Sequence, residues 1–233
     1  MDVPQRERAP KSLSGDVHPG FAKRAAMKHR ILAAALLSAL PLPISAQAPA
    51  PAPATAPQED LVPVAIDTSL GRIVVALDRL HAPVTTANFL HYVDTHRFDG
   101  ETFYRAMHFP TSNLIQGGVR SDGRKLYPPI AHEPTSRTGL HNVAGAISMA
   151  NAGPGTARAD FFILLSDVPA FDAGGAQGDA TGFAAFGRVI EGMDVVKKIF
   201  DAPVSETKGE GAMKGQMLDP PVKIIKASRL QQQ

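Results

Sequence analysis

The stretch Ser148-Met149-Ala150-Asn151-Ala152-Gly153-Pro154-Gly155-Thr156-Ala157-Arg158-Ala159-Asp160-Phe161-Phe162-Ile163 decides how the chain is read. Before the break, Ala146, Ser148 and Ala150 alternate with Ile147 and Met149, the period of a strand buried on one face and crowded by small side chains on the other. Asn151 to Gly155 then interrupts it. Gly153 and Gly155 accept positive φ at no steric cost, Pro154 fixes its own φ, and Asn151 offers an amide to a turn. Phe161, Phe162 and Ile163 begin a second, strongly apolar strand. A Gly-Pro-Gly loop between strands is ordinarily punctuation and nothing more. Its neighbours in the chain give it another meaning.

Upstream lie Phe103-Tyr104-Arg105 and Ile115-Gln116-Gly117-Gly118, and downstream Phe186-Gly187-Arg188-Val189-Ile190-Glu191-Gly192-Met193-Asp194. In this order and spacing, and with the run Met149 to Pro154 between them, the chain resembles the cyclophilin family of peptidyl-prolyl cis/trans isomerases. The resemblance extends from about Leu61 to Leu230.

Patterning within that region is mostly short and alternating. Val62 to Asp67 and Arg72 to Leu77 flank a turn at Thr68-Ser69-Leu70-Gly71 and read as a hairpin. Further strands are expected at Thr102–Met107, Asn113–Gly117, Gly145–Ala150, Phe161–Leu165, Ala184–Ile190 and Val222–Arg229. Helices are expected at Val84–His96, which has Pro83 at its start and Phe89, Leu90 and Val93 at helical spacing, and at Met193–Phe200. Many short strands with few helices point to a sandwich or a barrel, which periodicity does not distinguish. The resemblance implies a mainly β fold: a closed eight-stranded antiparallel barrel capped by two α-helices. The Gly- and Ala-rich stretch Asp172–Gly182 reads as an inserted loop.

The first part of the chain is different material. Residues 1–26 are polar and without period, and read as a non-native upstream extension or disordered segment. Residues 27–48 have the layout of a signal peptide: basic Met27-Lys28-His29-Arg30, an apolar run from Ile31 to Leu42, and Ala46-Gln47-Ala48 as a cleavage site. The apolar run is about a dozen residues, short of the roughly 20 a membrane span needs. Residues 49–60 form an Ala/Pro-rich tether, and 61–230 an isomerase domain.

Residues 1–48 hold seven of the 24 Lys and Arg and three of the 22 Asp and Glu, so 17 basic face 19 acidic side chains beyond them. That balance carries no nucleic-acid footprint. With no cysteine, the chain has no disulfide or thiol chemistry. The expectation is a periplasmic or secreted monomer, not membrane-bound once the leader is cleaved, acting on proline-containing polypeptides without cofactor. His81, His91, His96, His108, His132 and His141 are dispersed, so no metal site is expected, and no Gly-x-Ser-x-Gly elbow or complete nucleotide loop occurs.

Turning a peptide bond crosses about 18–20 kcal/mol because resonance stiffens the C–N bond. The two X-Pro isomers lie within about 1 kcal/mol of each other yet exchange in tens of seconds or longer. A catalyst therefore needs neither nucleophile nor metal. It must hold the proline ring and stabilise the twisted state, in which the proline nitrogen gains a lone pair that a guanidinium can meet with a donor. The resemblance gives that role to Arg105. It makes Phe162 the pocket floor and Leu114 a wall, with Phe171 and Phe183 as further walls or ordinary barrel core. It also makes Gln116 a partner of substrate backbone and of Arg105, and Ala150 and Asn151 the edge that pairs with residues preceding the substrate proline.

Four positions depart from the family pattern. Asp160 stands where many members have Gln, placing an anion expected to lie near Arg105 and to contact substrate, with Arg158 to offset it. The segment between Arg105 and Gln116 is longer than usual. This puts Asn113 where an aromatic wall is normal and leaves Phe109 to replace it if the loop folds back. Ala170 takes the place of a Trp associated with cyclosporin binding, which implies weak inhibition. A competing reading is a proline-binding chaperone with weak or no isomerase activity, in which Asp160 or the longer loop misplaces Arg105.

Overall fold

The structure, a computed structural model, describes residues 60–120, 122–175 and 181–231. The expected upstream extension, the expected leader and all of the expected tether but Asp60 lie outside the described residues, as do residues 176–180 of the expected inserted loop. The elements run β1 (Leu61–Thr68), β2 (Gly71–Asp78), α1 (Pro83–Asp94), β3 (Thr102–Phe109), β4 (Ser112–Gly118), α2 (Thr135–Thr138), β5 (Ala146–Met149), β6 (Phe161–Leu164), β7 (Ala184–Glu191), α3 (Met193–Phe200), β8 (Val204–Ser205) and β9 (Met217–Arg229). The strands order as β1-β2-β7-β5-β6-β4-β3-β9-β8, and a further pairing of β1 with β9 closes eight of them into an antiparallel barrel. Short β8 hangs on β9 outside the closure.

All eight expected strands are present, and both expected helices. Four features were not anticipated. β8 is too short to show a period, and α2 is a single turn. β9 starts at Met217 rather than Val222, because pairing with β8 and β3 carries it through Pro220 and Pro221, residues that read as breakers. Helix α1 ends at Asp94 rather than His96, whose φ of 56° is left-handed and stops the helix.

Strands β3, β4, β5 and β6 divide their side chains between two apolar clusters, as the period of two requires. Phe161 and Ile163 of β6 pack inside with Phe103, Ala106, Ile115, Ile147 and Met149, while Phe162 and Leu164 join Met107, Leu114, Ala146, Val168 and Phe171 on the outer wall. Phe89 of α1 anchors the interior, its ring 5.0, 5.2 and 5.4 Å from those of Phe98, Phe161 and Phe186. Each such buried ring contributes about 1.5–3 kcal/mol.

The helices sit at the two ends of β2. α3 covers its start, where a Cβ on Gly71 would come 2.8 Å from Val195. α1 follows its end, with Thr86 Oγ1 donating to the Asp78 carbonyl at 3.0 Å. The first turn of α1 has no cap of its own. Buried Glu133, 48 residues further on, accepts from the Thr85 N–H at 2.8 Å and its hydroxyl at 2.7 Å, which satisfies orphan donors and sets a negative charge at the positive end of the helix.

Candidate functional site

A hollow of about 310 Å³ opens on the outer wall where β3, β4 and β6 meet the segments around Phe171, Phe183 and Met213. Phe162 lies at its base. The rings of Phe171 and Phe183 stand at 75° and 87° to it, with centroids 5.8 and 5.4 Å away, and are 4.9 Å from each other. Leu114, Met107 and Phe109 supply the opposite wall, and Ala150 and Asn151 one rim. Of the residues expected at the site, Arg105, Leu114, Gln116, Ala150, Asn151, Phe162, Phe171 and Phe183 all line this hollow; Asp160 does not.

Arg105 reaches the hollow because β3 is bulged. Phe103 pairs with Gly117 and Arg105 with Gln116, so Tyr104 has no opposite residue. Phe103 and Ala106 point inward, which leaves two consecutive side chains, Tyr104 and Arg105, on the outer face. Bulges re-aim side chains in this way. Tyr104 turns to one hollow and Arg105 to another.

The Arg105 guanidinium is partly buried and its hydrogen-bond partners among the described residues are two amide oxygens and a thioether; burial lowers its pKa from the ordinary value, leaving it charged. Its Nη1 donates to Gln116 Oε1 at 2.8 Å, its Nε and Nη2 to Gln216 Oε1 at 2.8 and 2.7 Å, and Nη2 also to Met107 Sδ at 3.2 Å. Gln216 was not expected. It precedes β9 on the segment that also brings Ala212 and Met213 to the hollow, and no local sequence signal connects residues 111 positions apart.

Asp160 faces the other way. It lines an adjoining hollow of about 300 Å³ with Tyr104, Arg120 and Arg158, which shares Gln116, Ala150, Asn151 and Met213 with the first. The expected approach of Asp160 to Arg105 does not occur, because the bulge directs Arg105 away and Arg120 supplies the cation on this side. Nor is Arg158 an offsetting partner: Arg120 is the cation that acts on Asp160. Asp160 Oδ1 is buried without a hydrogen-bond partner, and burial raises its carboxyl to about 6, partly offset by Arg120 and the Tyr104 hydroxyl. It fits only because residue 118 is glycine, where a Cβ would lie 2.1 Å from that oxygen. Burial and the Asp160 charge push the Tyr104 hydroxyl up, while the Arg120 guanidinium lies 4.4 Å over its ring.

The longer connection before Gln116 extends the β3–β4 hairpin, with Phe109 opposite Ser112 and His108 opposite Asn113. Phe109 reaches the hollow and Asn113 does not.

Behind the aromatic walls sits Asn142, which is buried and was also missed. Its amide donates to the carbonyls of Phe171 at 3.1 Å and Phe183 at 3.2 Å and to Asp172 Oδ1 at 2.8 Å, and it accepts from Ser148 Oγ at 2.7 Å. One side chain thus holds both wall segments to β5. At the rim, the Ala150 N–H is taken by the Asp160 carbonyl at 2.9 Å. Asn151 Oδ1 accepts from the Gly153 N–H at 3.0 Å, closing the turn read from the sequence. No partner among the described residues occupies the Asn151 main-chain N–H or C=O. Among the described residues, no three His, Asp or Glu side chains are grouped to hold a metal ion.

An apolar box, a charged guanidinium at its lip and an open main-chain edge can bind a ring and its preceding backbone. The family model for cyclophilin type peptidyl-prolyl cis-trans isomerases matches residues 63–229. Peptidyl-prolyl cis-trans isomerase A of Dickeya dadantii is 38% identical over 139 residues, which are 58% of this chain and 70% of that protein. A peptidyl-prolyl cis-trans isomerase of Acinetobacter baylyi is 37% identical over 166 residues, 70% of this chain and 82% of that one. The crystal structure of a Cryptosporidium parvum cyclophilin superposes with a TM-score of 0.56 at 18% identity, covering 74% of this chain and 99% of its own, which is a likeness of fold.

Proposed function

From the premise that this chain belongs to the cyclophilin-type peptidyl-prolyl cis-trans isomerase family, we propose that the hollow under Arg105 is where it turns X-Pro bonds of exported, partly folded polypeptides. The isomerase activity follows from the family; the assignment of residues and of clients is ours. The observation that carries the assignment is the charged guanidinium of Arg105 held without a carboxylate at the lip of an aromatic box.

The proline ring enters between Phe162, Phe171, Phe183 and Leu114. Burying its three methylenes at about 0.8 kcal/mol each holds it with about 2–2.5 kcal/mol. The residues before it lie along Asn151, whose open N–H and C=O extend the edge beyond β5. With both sides held, the carbonyl preceding the proline swings. As resonance is lost, the proline nitrogen pyramidalises and its lone pair meets a donor of Arg105, which stabilises the twisted state more than either planar one. Gln116 fixes the guanidinium and can contact substrate backbone. No cofactor is required.

Residues 27–48 support export: a basic start, a short apolar run and a small-residue cleavage site. The mature chain then begins with the Ala/Pro tether and works as a periplasmic or secreted monomer.

The test is a protease-coupled isomerisation assay on X-Pro peptides with the mature chain and its Arg105→Ala variant. Activity in the former and its collapse in the latter are expected. If both were equally inactive while both still kept a client from aggregating, the site would be a chaperone's binding groove instead.

A further inference from the structure

We infer that Gln216 is a positioning residue for the reaction, setting the plane of the Arg105 guanidinium through an uncharged fork that leaves its positive charge unspent. The inference rests on Arg105 being the catalytic group. A guanidinium drawn into a protein usually meets a carboxylate, because an unpaired buried charge is costly. Here two amide oxygens take that place. Gln116 comes from the adjacent strand and holds one terminal nitrogen. Gln216 holds Nε and Nη2 on a single oxygen, which fixes the rotation of the group about its stem.

The Gln216 side chain is itself determined. Arginine only donates, so the oxygen of the amide must face it; the Ala212 carbonyl only accepts, so the nitrogen must face that, and Nε2 donates to it at 2.7 Å. The main chain is pinned beside the same strand, the Gln216 C=O accepting from the Ala106 N–H at 3.0 Å and its N–H donating to the Met213 carbonyl at 3.1 Å. Four of the five guanidinium donors are then committed: two to Gln216, one to Gln116 and one to Met107 Sδ. The remaining one is on Nη1, on the Gln116 side, and is the donor left for substrate.

Neutrality is the point of the arrangement. A glutamate at 216 would hold the same two nitrogens equally well or better, but its charge would cancel the field that the developing lone pair is meant to feel. Geometry and electrostatics therefore make opposite demands on one isosteric change.

The experiment compares wild type, Gln216→Glu, Gln216→Ala and the double variant Arg105→Ala/Gln216→Ala in the peptide assay, with thermal midpoints measured alongside. Gln216→Glu is expected to keep or raise the midpoint while kcat falls about 10- to 100-fold, with KM changed far less. Gln216→Ala is expected to lower kcat comparably in wild type and to do nothing further in the Arg105→Ala background. Full kcat in Gln216→Glu, or an equal loss from Gln216→Ala with and without Arg105, overturns the inference and leaves the reading of Arg105 standing. An inactive wild type overturns both.

Discussion

Arg105 and Gln116 face each other across β3 and β4, and Nη1 of the one donates to Oε1 of the other at 2.8 Å. Arg105→Ala is expected to lower kcat/KM by about 100- to 1000-fold, the cost of removing a donor aimed at a transition state. Arg105→Lys should recover little, since a compact, rotatable ammonium lacks the planar fork that the two amides hold in one orientation. The assay and the melting curve together check this, because a loss of activity explained by unfolding would appear in both.

Phe183 is only partly buried and closes the aromatic box from a loop. Phe183→Ala should raise KM for X-Pro peptides several-fold, corresponding to about 1 kcal/mol of lost ring burial, and leave kcat nearly unchanged. A kcat loss at constant KM would show that Phe183 shapes the twisted state rather than the bound one.

Asp160 should make stability depend on pH in an unusual direction. Its folded carboxyl is raised to about 6 from 3.8, so the folded state holds the proton more tightly than the unfolded one. The contribution is complete below about 4 and is lost as pH rises through about 6. Asp160→Asn removes that loss, so its thermal midpoint should exceed that of wild type increasingly from pH 4 to pH 6 and by a constant margin above. A midpoint difference independent of pH would show that Asp160 titrates normally.

Asn142→Ala should cost about 2–4 kcal/mol, because it strands the Phe171 and Phe183 carbonyls and the Ser148 hydroxyl in a buried site. Denaturant unfolding measures the loss. In the same variant KM should rise, since the two aromatic walls are no longer held to β5.

Cyclosporin should inhibit weakly. Ala170 packs against the outer cluster, where it is too small to present an indole to a ligand. Titration of the isomerase activity decides it, and inhibition in the nanomolar range would show that the missing ring is not needed.

The barrel was legible because its central strands β4 and β6 alternate: Phe161, Phe162 and Ile163 declare an inside, an outside and an inside again. Much of the hollow was legible too, since Arg105, Leu114, Gln116, Ala150, Asn151 and Phe162 lie on strands or at motif positions, while Phe171 and Phe183 read equally as wall or core. Three things were not. The bulge at Tyr104 leaves no mark in composition, yet it separates Arg105 from Asp160, which the sequence places near each other. Gln216 lies 111 residues from its partner, on a segment whose Gly and Pro content reads as connection. Asn142 is a single polar residue in a loop, and only the folded arrangement shows what it holds.

The strict alternation also has a genetic consequence. Along β4 and β6, residues of the hollow and residues of the barrel interior are threaded one by one, Leu114 beside Ile115 and Phe162 between Phe161 and Ile163. A point substitution can therefore retune substrate choice without touching the interior, and the two faces can drift independently over generations. A one-codon insertion or deletion in those strands has no such freedom: it turns the wall inside out, sending Gln116 into the core and Ile115 into the groove. The locus should tolerate a broad spectrum of missense change on the outer face and almost no in-frame length change, except in the hairpin beyond Phe109, where added residues extend the turn and leave both faces in register.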